Sequence, residues 1–400
     1  MEFFSTPWQV FSAAGVAIGG ALFCIKISKA FDVSSKRALL LYVWHTLFCV
    51  VYARYVVSNG GDAITYYQSS LTGNMEFSLG TQFVRIFTAW FSYVLGFSFY
   101  GTFLVYNVIG FIGLLAFYAS LRIAVSGYSR RVRNFAGFIV FLPSISFWSS
   151  GIGKDAISFM AAGIVLWAAL DLRRRTRLLF SAILLMFLVR PHMAALLLVA
   201  FAGSMLFQRS MSFVQRVLLV SVVLGAAAAL VPVAIKYVGL EAASDVGEVV
   251  DYVEQRQVYN VAGGGGVDIS SMSLPMQLFT YMFRPLPYEA RNVTTLLASF
   301  DNLIILLLFS VGLRHLFVRR VHQQANRAFL WIYSLAAWLI LAMTTANLGI
   351  AVRQKWMFAP MLIFLLISAI GRPRCNVSNG LASLPSSTVV IPPEKPGASV

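Results

Sequence analysis

The stretch "RRVRNFAGFIVFLPSISFWSSGIGKDAISFMAAGIVLWAALDLRRRTR", residues 130–177, sets the fold. Arginine clusters close both of its ends. Between them run two apolar segments, 135–149 and 155–171, of the kind that enters a bilayer. One charged pair, Lys154–Asp155, interrupts the middle beside Gly151 and Gly153. A charged side chain at a bilayer centre costs about 2.5–3.5 kcal/mol on insertion scales. The pair therefore marks the turn of a helical hairpin at one membrane face, or lines a polar cavity. The arginines at both ends return the chain to the other face.

The whole composition extends this reading. The chain has 400 residues, 59% hydrophobic and 12% charged, with a mean hydropathy of +0.77. Soluble domains carry about 25% charged residues, so the composition is that of a polytopic membrane protein. The formal charge is +16. Membrane proteins gather Lys and Arg in cytoplasmic loops, and no basic stripe with interleaved aromatics lies outside the apolar runs. No nucleic-acid partner is expected. Cys24, Cys49 and Cys375 are scattered and form no metal or disulfide spacing. The N-terminus carries Glu2 and no basic leader, so its first apolar stretch reads as an uncleaved span.

Apolar runs near 9–28, 39–58, 99–121, 135–149, 155–171, 178–190, 192–208, 217–238, 294–313, 328–345 and 357–371 predict about eleven spans in an all-α bundle. Residues 82–97 are short and read as an interfacial or re-entrant helix. Alternate loops hold the basic residues, from Lys26, Lys29, Lys36 and Arg37 through Arg122, Arg130, Arg131 and Arg133 to Arg372 and Arg374. The positive-inside rule puts that face in the cytoplasm, the N-terminus outside and the C-terminus inside. Residues 1–371 form one membrane domain. The outer loop 239–283, with four glycines at 263–266, reads as a lid or as a plain linker. The Pro- and Ser-rich tail 372–400 is expected to be disordered.

Five polar motifs fall at the outer ends of these runs. They are Asp62, Tyr66 and Tyr67 in "NGGDAITYY"; Trp148, Lys154 and Asp155 in "FWSSGIGKD"; Arg190 and His192 in "VRPHM"; Arg284, Tyr288, Glu289, Arg291 and Asn292 in "FRPLPYEARN"; and Asn347, Arg353 and Lys355 in "ANLGIAVRQKW". Each has an ordinary alternative: snorkelling for Lys154, helix capping or pairing with Lys154 for Asp155, lipid phosphate for Arg190 and Arg353, a turn for Asp62. Together the cations break the charge bias on one face. An anionic ligand held there accounts for them, because Arg forks fit phosphate oxygens. "SGIGKD" lacks the first glycine and the Ser/Thr of a phosphate loop. No His, Cys and carboxylate spacing makes a metal site.

At these residues the chain resembles the exopolysaccharide/O-antigen polymerase-like membrane proteins of bacteria. The resemblance rests on Trp148–Ser149–Ser150–Gly151 through Lys154–Asp155, on Arg190–Pro191–His192, on Arg284 to Asn292, and on Asn347, Gly349 and Arg353. The general plan is similar to that of O-antigen ligases and GT-C glycosyltransferases. The resemblance implies an inner-membrane enzyme that polymerises undecaprenyl-pyrophosphate-linked oligosaccharides at the periplasmic face, without cofactor or metal. Lys154, Arg190, Arg284, Arg291 and Arg353 would then bind pyrophosphate. Asp62, His192, Glu289 or Asp155 would serve as base or acceptor, and Tyr66, Tyr67, Trp148 and Tyr288 would stack on sugars. Implied partners are the lipid-linked glycan, the bilayer and other polysaccharide-assembly proteins. Two alternatives stay open: a GT-C transferase using a polyprenyl-monophosphate sugar, and a lipid-linked oligosaccharide flippase or other transporter.

Overall fold

The computed structural model describes residues 4–73, 76–207, 265–318 and 326–370, with isolated positions between 212 and 228. The greater part of the expected span 217–238, residues 239–264 of the expected lid, and the tail 372–400 lie outside the described residues. Within them the chain is all-helical, and the only β pairing is an isolated bridge between Gly266 and Asn347.

Among the described residues, five helices are long and apolar enough to cross a membrane: Pro7–Phe31, Ser35–Asn59, Phe99–Ala124, Val293–Leu316 and Arg327–Thr344. A bent pair, Leu348–Met357 with Ala359–Ile370, makes a sixth if its two arms, 66° apart, form one span. A 25-residue helix such as Ser35–Asn59 is roughly 37 Å long, against about 30 Å of hydrocarbon. These long helices leave large apolar side chains on their outside, among them Phe11, Ile18, Leu22, Leu40, Val43, Leu47 and Leu307. That pattern belongs to a membrane protein.

Among the described residues, several of the other expected runs form shorter or broken helices. The expected span 135–149 is two helices, Arg130–Ile139 and Pro143–Ser149. Proline lacks the N–H that would continue the first, so it opens the second. Helices Lys154–Ala169, Leu172–Val189 and Pro191–Leu206 have 16, 18 and 16 residues, roughly 24–27 Å each. Residues 82–97 form the short helix Thr81–Ala89, which runs on into a π-turn at Trp90–Val94. Its Trp90, Tyr93 and Val94 are exposed.

Lys154–Ala169 is the hub. All its residues from Ala156 to Ala169 except Met160 are buried, the behaviour of a helix that is apolar all round. Glycines let it approach Phe99–Ala124 closely. A Cβ on Gly113 would lie 2.7 Å from the Met160 Cα and 2.8 Å from the Phe159 oxygen, and one on Gly163 would strike the Gly113 oxygen. Small residues at a helix crossing bring the backbones together. Side-chain caps start several helices: Thr6, Ser34, Ser98 and Ser129 each accept from an amide of the first turn.

Candidate functional site

Gly153, at φ +155, closes the turn after Ser150, and the helix begins at Lys154. Asp155 therefore sits in the first turn, where a carboxylate complements the helix dipole. Ser158 lies three residues on, over the same face. Arg190 occupies the single-residue corner between Leu172–Val189 and Pro191–Leu206, and Pro191 opens the second helix. The Arg190 Nη2 donates to Asp155 Oδ1 at 2.6 Å and its Nε to Ser158 Oγ at 3.2 Å. Both side chains of the ion pair are largely buried, at 8% and 16% exposure.

A third element brings Arg353. Asn347 caps the helix Leu348–Gln354 by accepting from the amides of Gly349 and Ile350. Arg353 lies near the end of that helix. Its Nε is 3.2 Å from Asp155 Oδ2, an ion pair without the alignment of a hydrogen bond. Its Nη1 donates to Asp62 Oδ2 at 3.2 Å. Asp62 heads the short helix Asp62–Ser70 after two glycines at positive φ, Gly60 and Gly61. Its side chain is 64% exposed. A chain of alternating charge, Arg190–Asp155–Arg353–Asp62, thus runs from the interior to the rim.

Aromatic rings flank it. The Trp148 ring lies 5.9 Å below the Arg353 guanidinium and meets Tyr52 edge-on at 5.5 Å. Gly151 makes room there, because a Cβ would collide with the Tyr52 ring. Tyr66 is buried on the Asp62 helix. Burial, followed by the nearby Asp62 charge, pushes its hydroxyl up to about 12. Tyr67 is also buried, with its hydroxyl donating to the Phe97 carbonyl at 2.9 Å, so it braces the Asp62 helix.

The "FRPLPYEARN" motif builds a second polar group. The Arg284 Nε donates to Glu289 Oε1 at 2.8 Å, a second Arg284 nitrogen reaches the same oxygen, and the Leu286 amide donates to Oε2 at 2.7 Å. Burial works to raise the Glu289 carboxyl. The Arg284 and Leu286 bonds outweigh it and hold the group below the ordinary carboxylate value. Tyr288 is 83% exposed, and Arg291 is exposed as well. Lys154 and His192 are half-buried, each adjacent to a member of the charge chain or one residue removed from it.

Sequence reasoning counted Lys355 among the outer-face cations but missed the buried polar layer that it joins. Lys355 is fully buried; its Nζ donates to Asn302 Oδ1 and, at 3.4 Å, to the Met282 carbonyl. The Asn302 amide donates to the Pro285 carbonyl at 3.0 Å. Asp301 beside it accepts from the Ser144 amide at 2.6 Å. Elsewhere in the buried interior, His45 bridges Asn107 Oδ1 at 2.6 Å and Ser149 Oγ at 3.0 Å. The signal was present: Asp301 is an acid within an apolar run, and such residues are functional-site candidates by default. Among the described residues no three His, Cys, Asp or Glu side chains group as metal ligands. Compared with family models, curated proteins and solved structures, the chain matches none.

Proposed function

We propose that this chain is a membrane glycosyltransferase that extends lipid-pyrophosphate-linked glycans, as its motifs imply. The observation that carries the reading is the Arg190–Asp155–Arg353–Asp62 chain, drawn from separate helices to one end of the bundle. Two guanidiniums gathered at one carboxylate repel each other. Asp155 offsets this repulsion and holds both forks in place. Among the described residues, Nη1 of Arg190 and Nη2 of Arg353 are not used in these bonds and are available to oxygens of a pyrophosphate.

Asp62 is the exchangeable member, since it is mostly exposed and held at one contact. A lipid pyrophosphate that displaces it from Arg353 leaves its carboxylate free to accept a proton. In the transfer, the acceptor hydroxyl gives its proton to Asp62 and its oxygen bonds to the anomeric carbon. The bond from that carbon to the pyrophosphate oxygen breaks, and the electron pair leaves with the pyrophosphate. Prepositioned donors facing such a developing charge are worth about 100–1000-fold in rate. Trp148, exposed Tyr288 and the rim of the Asp62 helix offer faces for sugar rings. The finer frame belongs to the same reading: about eleven spans, a GT-C-like plan, this end periplasmic and the arginine-rich end cytoplasmic.

The test is direct. Purified protein is given an undecaprenyl-pyrophosphate repeat unit in the presence of EDTA, and glycan ladders are resolved. Ladders from the parent that vanish in Arg190→Ala and Arg353→Ala support the reading; parent-rate ladders from both variants overturn it. The exposed Asp62 also suits a transferase that takes a single sugar from a polyprenyl monophosphate. Single-sugar addition from that donor, with no ladder, selects this second reading.

A further inference from the structure

A cavity of about 680 Å³ opens at the other end of the bundle. Its wall comes from the start of Ser35–Asn59, the end of Phe99–Ala124 and the start of Arg130–Ile139. The helix Ser35–Asn59 runs from this cavity towards Asp62, so its length of roughly 37 Å separates the two sites. The proposed transfer reaction makes no use of the cavity.

Its chemistry is specific. Arg37, Arg122 and Arg133 line it together with Ser34, Ser126 and Asn134, over a floor that includes Leu121, Val125 and Ala136. Arg37 is fixed in place: its guanidinium lies 4.6 Å from the Phe141 ring and 5.2 Å from Tyr118, and its Nη2 donates to the Gly137 carbonyl at 2.9 Å. Its Nε is buried and has no acceptor among the described residues. Arginine forks that line a roomy polar cavity suit an anionic oxygen. Arg122 is anchored on Asp32, whose carboxylate is 3.9 Å away and fully exposed. Arg133 is exposed at the rim. Three arginines against one solvated aspartate leave the cavity cationic.

The same helical turns expose apolar side chains: Leu40, Ile123, Phe135 and Phe138. A cationic cavity next to outward apolar residues, at the end of membrane helices, combines a headgroup site with an acyl-chain surface. Basic pockets between membrane helices bind anionic headgroups in this way. We infer that this cavity binds a phosphate group, carried by an anionic phospholipid or by free phosphate, with Arg37, Arg122 and Arg133 as its donors.

The test uses the full-length protein in detergent and native mass spectrometry. Phosphatidylglycerol, phosphatidylcholine and inorganic phosphate are supplied separately, and phosphate is also supplied in competition with phosphatidylglycerol. Phosphatidylglycerol should be retained over phosphatidylcholine, and Arg122→Gln/Arg133→Gln should weaken it about tenfold or more, the scale of two basic side chains near a membrane surface. Arg130→Gln, one turn away and outside the cavity lining, should leave it unchanged. If millimolar phosphate displaces the lipid, the free anion is the ligand; if it does not, the lipid is. Equal retention of both lipids, parent-like retention by the double variant, or an equal loss in Arg130→Gln would overturn the site. Because the double variant changes only exposed side chains, a melting temperature equal to the parent's separates lost binding from lost folding. Activity is not the readout, so the result is independent of the proposed transfer reaction.

Discussion

Asp155 holds two arginines that lie far apart in the chain, with Arg190 Nη2 at 2.6 Å and Arg353 Nε at 3.2 Å. One carboxylate thereby ties the corner between two short helices to the helix Leu348–Gln354. Breaking a buried ion pair from one side costs about 3–5 kcal/mol, because the remaining charge stays buried. Asp155→Asn should lower unfolding stability by about 3 kcal/mol, measured by thermal or denaturant unfolding in detergent. A change below about 0.5 kcal/mol, the range of ordinary surface substitutions, contradicts the role of this carboxylate.

Asp62 should behave differently from the arginines. Asp62→Asn removes the proposed proton acceptor and also releases Arg353 from a charged partner. Turnover should fall by about 100-fold or more, on the scale of lost general-base catalysis, with donor affinity equal or tighter. Steady-state kinetics with a lipid-pyrophosphate donor separates the two quantities. An affinity loss with unchanged turnover would place Asp62 in binding instead.

The crossing of Phe99–Ala124 with Lys154–Ala169 leaves no room for a methyl group. In Gly113→Ala the new Cβ meets backbone atoms of Met160 and Phe159 at 2.7–2.9 Å. Backbone cannot swing aside as a side chain can, so the helices must part. Overpacking of this kind costs about 1–3 kcal/mol or more. Gly15→Ala, with no atom within 4 Å of its Cβ, is the control in the same unfolding assay and should be unchanged or more stable by up to about 1 kcal/mol.

The Lys355–Asn302 contact calls for a cycle of variants. Lys355→Met leaves a buried amide oxygen without its donor, at about 1–3 kcal/mol. Adding Asn302→Leu should recover part of that loss, because replacing both partners by apolar groups of similar shape is nearly neutral. Purely additive losses in unfolding experiments would show that the two side chains act separately.

Glu289 sets a pH dependence. Its folded pKa lies below the ordinary carboxylate value. The stability it contributes is therefore present above the unfolded pKa, about 4.3, and is lost as pH falls through the lower folded value. Glu289→Gln should remove that part of the acid limb in a stability-against-pH profile. An unchanged acid limb would mean that the Arg284 pair contributes nothing.

The sequence was informative wherever the cause is local. Glycines and prolines at 60–61, 143, 151–153 and 191 mark helix ends that the fold keeps. The apolar runs 9–28, 39–58, 99–121, 294–313 and 328–345 correspond to the five long helices. Run 135–149 is apolar on both sides of Pro143, so its length suggests one span where the structure has two helices. Of the five motifs, four contribute to the charge chain or border it: Asp62, Trp148 with Asp155, Arg190, and Arg353. The Arg284 motif pairs within itself through Glu289. Asp301 and Asn302 stayed hidden because their neighbours are so apolar that the run reads as lipid-facing.

Composition and charge alone determined that this chain is helical and built for a membrane, since 59% hydrophobic residues in long runs leave backbone groups to be satisfied within helices. They also determined which polar residues stand near helix ends. Only the tertiary structure decided the partners of Asp155. Lys154 is its neighbour in sequence, but adjacent residues on a helix do not face one another. Its partners Arg190 and Arg353 lie 35 and 198 positions away. Such contacts depend on where helices cross, and the crossings are set by glycine-sized gaps and buried side chains distributed over the whole bundle.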